Sequence, residues 1–156
     1  MKTLVLGLGN PYLTDDCVGI RVVVELQSRF KREDVTMEET SLSGLGLLEV
    51  LVGYDRVIIV DAIQTREGKP GEIHRLGPEV FEVARHLSSV HDLDFPTALD
   101  FGRRVGLSLP REIIIFGVEG SDTSSFSEEC TPEVRKAIPR CVELVLEELA
   151  ADQQAL

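Results

Sequence analysis

The sequence of 156 residues has no tryptophan, and its aromatic residues make up only 5% of the total. Cysteine is also scarce, with Cys17, Cys130 and Cys141 as the three examples. An odd number of cysteines without Cys-x-x-Cys spacing argues against a disulfide framework and against a thiolate zinc site. The cysteine content therefore indicates a protein of a reducing compartment.

Basic residues are outnumbered, because 16 lysines and arginines face 27 aspartates and glutamates, for a net charge of −11. Such a chain repels phosphate backbones, so we expect no nucleic-acid partner.

No apolar run reaches the ~18 residues of a membrane span, and the amino terminus lacks the features of a secretory signal. We therefore expect a cytoplasmic protein without a membrane span, and its self-repelling charge favours a monomer.

Apolar segments that favour strands alternate with amphipathic segments that favour helices, which is typical of an α/β fold. The sequence predicts one three-layer α/β/α domain over residues 1–156, with a mixed, mostly parallel sheet of about five strands. The expected strands are 3–8, 35–39, 56–61, 72–76 and 112–118, and the expected helices are 15–30, 44–52, 95–105 and one that begins at Pro132. Thr14 or Asp15 is placed to cap the first helix, and Pro139 should kink or interrupt the last one.

The turn Gly7-Leu8-Gly9-Asn10 lies between a strand and a helix, as in a dinucleotide-binding fold. The third glycine of that pattern would fall on Leu13, and Asp15 and Asp16 stand where a pyrophosphate would bind. Because these carboxylates would repel phosphate, the sequence disfavours a nucleotide site.

Two carboxylates mark the strongest candidate site. Asp16 follows the first strand and Asp61 ends the apolar run Val57-Ile58-Ile59-Val60. The carboxyl ends of parallel strands meet at one edge of a sheet, so the two side chains should lie close together. Asp61 could cap a loop or pair with a basic residue, or the two carboxylates could bind a metal ion together with an imidazole. His74, His86 and His91 are the possible imidazoles, and spacing alone does not choose between them.

Three motifs follow one another along the chain: Leu4-Val5-Leu6-Gly7-Leu8-Gly9-Asn10 followed by Thr14-Asp15-Asp16-Cys17-Val18-Gly19, then Val60-Asp61-Ala62, and finally Val90-His91-Asp92. In order, spacing and context they resemble the motifs of the nickel–iron hydrogenase maturation endopeptidases. The resemblance implies that Asp16, Asp61 and His91 are the metal-binding and catalytic residues. It further implies substrate contacts at Gly9, Asn10, Glu39 and Gly44. Many family members have Glu at the place of Asp16, and an Asp-Gly-Gly-like turn where this chain has residues 39–44.

The activity implied by this resemblance is that of a metal-dependent endopeptidase. Members of the family remove a C-terminal extension from the precursor of the hydrogenase large subunit after nickel has been inserted. The expected partner is that precursor, which would supply the nickel. Zinc or cadmium could occupy the same ligands in vitro. Two carboxylates and an imidazole leave positions open on a divalent ion, which suits metal-assisted hydrolysis.

Two other functions remain open from the sequence. The same site could belong to a non-catalytic scaffold that recognises a nickel-loaded partner. The opening Gly7-Leu8-Gly9-Asn10-Pro11 also resembles peptidyl-tRNA hydrolases, although Asp16 replaces their catalytic histidine. The polar loop of residues 119–130 should lie on the same edge as the two acids. Its single aromatic residue, Phe126, could anchor a protein substrate.

Overall fold

A computed structural model describes residues 1–85 and 94–154 of the chain. Strands and helices alternate along it as the apolar pattern predicts. The elements are β1 (Thr3–Leu8), a 3₁₀ turn (Thr14–Cys17), α1 (Val18–Arg29), β2 (Val35–Thr40), α2 (Gly44–Leu51), β3 (Arg56–Ile63), β4 (Ile73–Leu76), α3 (Pro78–Arg85), α4 (Phe95–Arg104), β5 (Glu112–Glu119) and α5 (Pro132–Gln154).

The five strands form one sheet in the order β2-β1-β3-β5-β4. β2, β1, β3 and β5 run parallel to one another, and β4 is antiparallel to β5. The prediction of a mixed, mostly parallel sheet is confirmed. Since β1, β3 and β5 point the same way, their last residues lie along a single side of the sheet, which we call the carboxyl edge.

β3 is buried along its whole length, as its uninterrupted apolar sequence predicts for a central strand. Successive side chains point to opposite faces of a strand. Val57 and Ile59 pack with residues of α2, α3 and α4, whereas Ile58 and Val60 pack with residues of α1 and α5. Helices therefore cover both faces, and the predicted α/β/α layering is confirmed.

Apart from one-residue shifts at the ends of other elements, the structure differs from the predictions at β3, at α1 and at α5. β3 continues past Asp61 to Ile63, and a 3₁₀ turn precedes α1, which begins only at Val18. No side-chain hydrogen bond caps either the turn or α1, so the predicted capping role of Thr14 or Asp15 is wrong. α5 continues without a break through Pro139. Proline removes one helical hydrogen bond there, but buried residues on both sides, such as Val134 and Val142, hold the helix against the sheet.

In the described part of the chain, none of the helices combines the length and the apolar character that a membrane span requires.

A buried arginine fixes α5 to the other end of the sheet. Arg56 begins β3, is 2% exposed and lies against the carboxylates of Glu112, Glu148 and Asp152. Its Nη2 donates to Oε1 of Glu148 at 2.7 Å. A hydrogen bond from Arg75, assisted by Arg56, holds the pKa of Glu148 below its usual value.

We expect Arg56→Met to lower the free energy of unfolding by about 3 kcal/mol, because it leaves neighbouring carboxylates without their cation. Urea unfolding of the variant measures this change. The activity per folded molecule should stay the same, because Arg56 lies at the opposite edge from the site described below. An unchanged unfolding midpoint would show that the ion pairs add nothing to stability.

Candidate functional site at the carboxyl edge

The turn after β1 holds Asp16 by direct contacts. Gly9 has a φ of 142°, and a Cβ at this position would lie 1.9 Å from the carbonyl oxygen of Asp16. Only glycine permits this approach. The backbone N–H of Asn10 then donates to Oδ2 of Asp16 at 2.9 Å, and Oδ1 of Asn10 accepts from the N–H of Tyr12 at 2.9 Å. The predicted substrate residues Gly9 and Asn10 thus position the first acid.

A second close approach brings this turn to the sheet. A Cβ on Gly19, in the first turn of α1, would lie 2.1 Å from the carbonyl oxygen of Val60 and 2.7 Å from that of Leu8. The absence of a side chain therefore lets α1 begin directly against β1 and β3. Since Asp16 lies two residues before the start of α1 and Asp61 directly follows Val60, the same contact brings the two acids close together.

Asp61 lies on β3 two residues before the strand ends, and it is 4% exposed. Its Oδ1 accepts a hydrogen bond from the backbone N–H of Ala62 at 2.8 Å. By strand alternation it belongs to the series of Ile59 and Ile63, which pack on the face covered by α2, α3 and α4. A carboxylate in so buried a position needs hydrogen-bond donors or a nearby cation to remain charged.

Asp16 and Asp61 line the same cavity, which has a volume of about 640 Å³ and opens at the carboxyl edge. Its described lining includes three carboxylates, those of Asp16, Asp61 and Asp122, and no lysine or arginine. The remaining lining residues are Leu8, Gly9, Asn10, Leu13, Ser41, Leu42, Ser43, Ala62, Ile63, Gln64, Ser121, Thr123 and Ser124. An acidic cavity without a basic side chain favours a cation, and oxygen ligands suit divalent ions.

The other predicted site residues have different positions. Glu39 is exposed on β2 and Gly44 is buried at the start of α2. Neither is among the described residues that line the cavity, whereas the residues 41–43 between them are. His74 lies on β4 next to Glu72. His91 and its alternative His86 lie outside the described residues. Within residues 1–85 and 94–154, no group of three acidic, histidine or cysteine side chains is arranged to hold a metal ion.

Asp15 is a residue whose role the sequence analysis missed. It is fully buried, and its Oδ2 accepts from the N–H groups of Ser121 and Asp122 at 2.8 and 2.9 Å. Its Oδ1 accepts from the N–H of Thr131 at 2.7 Å. Asp15 therefore caps α5 rather than α1, and it attaches the loop of residues 120–130 to the turn that carries Asp16. The N–H groups at the N-terminus of a helix need an acceptor, which is the signal that could have pointed to this role. The residues that donate to Asp15 are more than 100 positions away in the sequence, however.

The loop of residues 120–130 contributes to the wall of the cavity, as predicted from the parallel arrangement of β5. Ser121, Asp122, Thr123 and Ser124 face the cavity. Hydrogen bonds from Ser125 and from the backbone N–H of Ser124 hold the pKa of Asp122 below its usual value. The Asp122 carboxylate thus organises the loop itself.

Comparisons with known proteins identify the family. A family model described as hydrogenase maturation protease matches residues 20–148, which is most of the chain. The chain belongs to the hydrogenase maturation protease family. The matched segment contains Asp61 and His91, and Asp16 precedes it by a few residues.

Individual members of the family are similar over three quarters of the chain or more. The hydrogenase 2 maturation protease of Escherichia coli strain K12 is 33% identical over 120 residues, which cover 76% of this chain and 73% of that protein. The structure of the hydrogenase maturating endopeptidase HybD from Escherichia coli superimposes with a TM-score of 0.82 at 29% identity, covering 97% of this chain and 94% of that one. A hydrogenase 2 maturation peptidase from Thaumarchaeota archaeon SCGC_AB-539-E09 gives 0.69 at 29% identity, covering 96% and 98%.

Membership of the hydrogenase maturation protease family makes this chain an endopeptidase, and so a hydrolase. The α/β fold predicted from the sequence is the fold of these enzymes. Cys17, a potential nucleophile, is fully buried, and its Sγ donates to the carbonyl oxygen of Thr14 at 2.7 Å. The cavity that holds Asp16 and Asp61 is therefore the candidate active site.

Proposed function

We propose that this chain removes a C-terminal extension from the precursor of a nickel–iron hydrogenase large subunit, after that precursor has received its nickel. The observation that carries the proposal is the pairing of Asp16 and Asp61 in one acidic cavity of a hydrogenase maturation protease. Nickel is then part of the substrate, and the protease recognises it with these two carboxylates.

His91 is proposed as the third ligand. The helices next to it in the sequence, α3 and α4, both contribute residues to the apolar layer on the face of Asp61, through Phe81 and Phe95. A neutral imidazole with two carboxylates is a donor set that suits nickel or zinc. Positions left open on such an ion could polarise the scissile carbonyl or activate a water molecule.

The surroundings of the cavity support the recognition of an ion that is carried by another protein. Its walls include the residue 41–43 segment and the residue 121–124 segment. Three large apolar side chains on or next to these walls are exposed: Tyr12 by 61%, Leu42 by 48% and Phe126 by 89%. We call them the apolar rim. An apolar rim around an acidic cavity suits a protein surface that presents a cation at its centre.

The direct test of the proposed function is the mass of the precursor after incubation with the purified chain. Nickel-loaded precursor should lose the mass of its C-terminal extension, and nickel-free precursor should keep its full mass. A stable complex without any loss of mass would instead identify a binding protein. Cleavage of both precursors at equal rates would reject nickel as the recognised feature.

We expect Phe126→Ala to raise the KM for the precursor about tenfold and to leave kcat unchanged, because a rim contact contributes to docking alone. The backbone at this position pairs with Leu13 and does not depend on the ring. Val105, 58% exposed where the chain leaves α4 towards the start of β5, provides the matched control, and Val105→Ala should process like the parent. An unchanged KM for Phe126→Ala would show that residues 120–130 only connect β5 to α5.

A further inference from the structure

Two cysteines that are far apart in the sequence meet beside the cavity. Cys17 ends the 3₁₀ turn that carries Asp16, and Cys130 immediately precedes Thr131 at the start of α5. Their Sγ atoms are 3.3 Å apart, and 113 positions separate them along the chain. Cys17 is fully buried and Cys130 is 6% exposed. Cys141 is buried elsewhere, in the core of α5.

We propose that Cys17 and Cys130 are a dithiol oxidation site, at which a hydroperoxide forms an intramolecular disulfide that slows processing. In the first step one of the two thiols takes an oxygen atom from the hydroperoxide and becomes a sulfenic acid, and the hydroperoxide leaves as an alcohol or water. Sγ of the other thiol then attacks that sulfur, its proton leaves with the displaced hydroxide as water, and the S–S bond forms. Two thiols and one hydroperoxide thus give one disulfide, one alcohol and one water.

The geometry connects this bond to the site. A disulfide places its sulfur atoms about 2.05 Å apart, so oxidation must draw the two segments together by roughly an ångström from their 3.3 Å separation. The thiol of Cys17 also loses the proton that it donates to the carbonyl of Thr14. Both changes act on the turn that holds Asp16, and a displacement of ~1 Å at a catalytic group can cost about 100-fold in rate.

The loop of residues 120–130 is affected through the same contact. The Asp15 carboxylate already joins Ser121 and Thr131 to the turn at residues 14–17. A covalent bond at Cys130 would add a fixed connection at the end of this loop, and so restrain the wall that faces the precursor. The effect on activity rests on the proposed function; the formation of the bond does not.

Mass spectrometry after treatment with hydrogen peroxide tests the bond. Trypsin separates the three cysteines into the segments 3–21, 112–135 and 141–156. The oxidised chain should contain segment 3–21 linked to segment 112–135, and Cys141 should stay a thiol because burial raises its pKa to about 12. The thermal midpoint should rise by roughly 10 °C, since the bond closes a loop of more than 100 residues. Absence of the 17–130 link would overturn the proposal.

Activity of the same samples tests the consequence. The oxidised chain should process nickel-loaded precursor at least ~10-fold more slowly than the reduced chain, and dithiothreitol should restore the rate. Cys130→Ser should process normally and should no longer respond to peroxide, whereas Cys141→Ser should respond like the parent. Formation of the link without slower processing would reject the regulatory role. If the reduced chain processes nothing, the proposed function fails, while the mass and thermal measurements still decide whether the oxidation site exists.

Discussion

Asp16→Ala and Asp61→Ala are each expected to abolish processing of the nickel-loaded precursor, with a fall in kcat/KM of at least ~1,000-fold. Both carboxylates line one cavity, and either loss would remove a ligand from the nickel ion that they are proposed to share. Folding should be retained, with the free energy of unfolding within about 1 kcal/mol of the parent, because removing one of several neighbouring acids also relieves repulsion. Initial rates of extension removal and urea unfolding measure the two quantities.

Matched control variants distinguish the loss of a metal ligand from the loss of a negative charge in the cavity. Asp122→Asn removes a third carboxylate from the same cavity, and it should keep processing within about threefold because Asp122 serves the loop through Ser124 and Ser125. His91→Ala should be inactive and His86→Ala active. If His86→Ala were inactive and His91→Ala active, the wrong histidine would have been assigned.

Asp15→Ala should differ from Asp16→Ala in its effect on stability, although the two residues are adjacent. We expect a loss of about 3 kcal/mol in the free energy of unfolding, because the N–H groups of Ser121, Asp122 and Thr131 lose a charged and fully buried acceptor. Urea unfolding measures this loss. Processing should fall as well, since the loop wall is released.

Asp15→Asn provides the rescue for this prediction, because it keeps one oxygen that can accept from Thr131. Its stability should lie between those of the parent and Asp15→Ala. If Asp15→Ala unfolded at the same urea concentration as the parent, the hydrogen bonds of this carboxylate would contribute nothing net.

The contrast between these neighbours shows what the sequence can predict. Apolar runs gave the strands because a central strand of a parallel sheet must be apolar on both faces. Once the strands were placed, the rule that parallel strands end at one edge was enough to bring Asp16 and Asp61 together. Local pattern and chain direction therefore predicted both the fold and the position of the two acids.

Contacts between segments that are distant in the sequence could not be predicted from local patterns. Asp15 appeared to be a cap for the nearest helix, but its partners lie 106 to 116 positions away. Asp61 appeared to end β3, because a carboxylate in an apolar strand usually marks its boundary, whereas the cavity lets the strand continue to Ile63. The pairing of Cys17 with Cys130 likewise depends on how the loop returns to the start of α1.

The affinity of the chain for its precursor, measured with and without nickel, tests the central claim most directly. If Asp16 and Asp61 read the nickel ion on the substrate, the parent should bind nickel-loaded precursor at least ~10-fold more tightly than nickel-free precursor, a preference worth about 1.4 kcal/mol. Asp61→Ala should bind both with the lower affinity, and Asp122→Asn should keep the preference. Equal affinity of the parent for the two precursors, or a preference that survives in Asp61→Ala, would contradict the account.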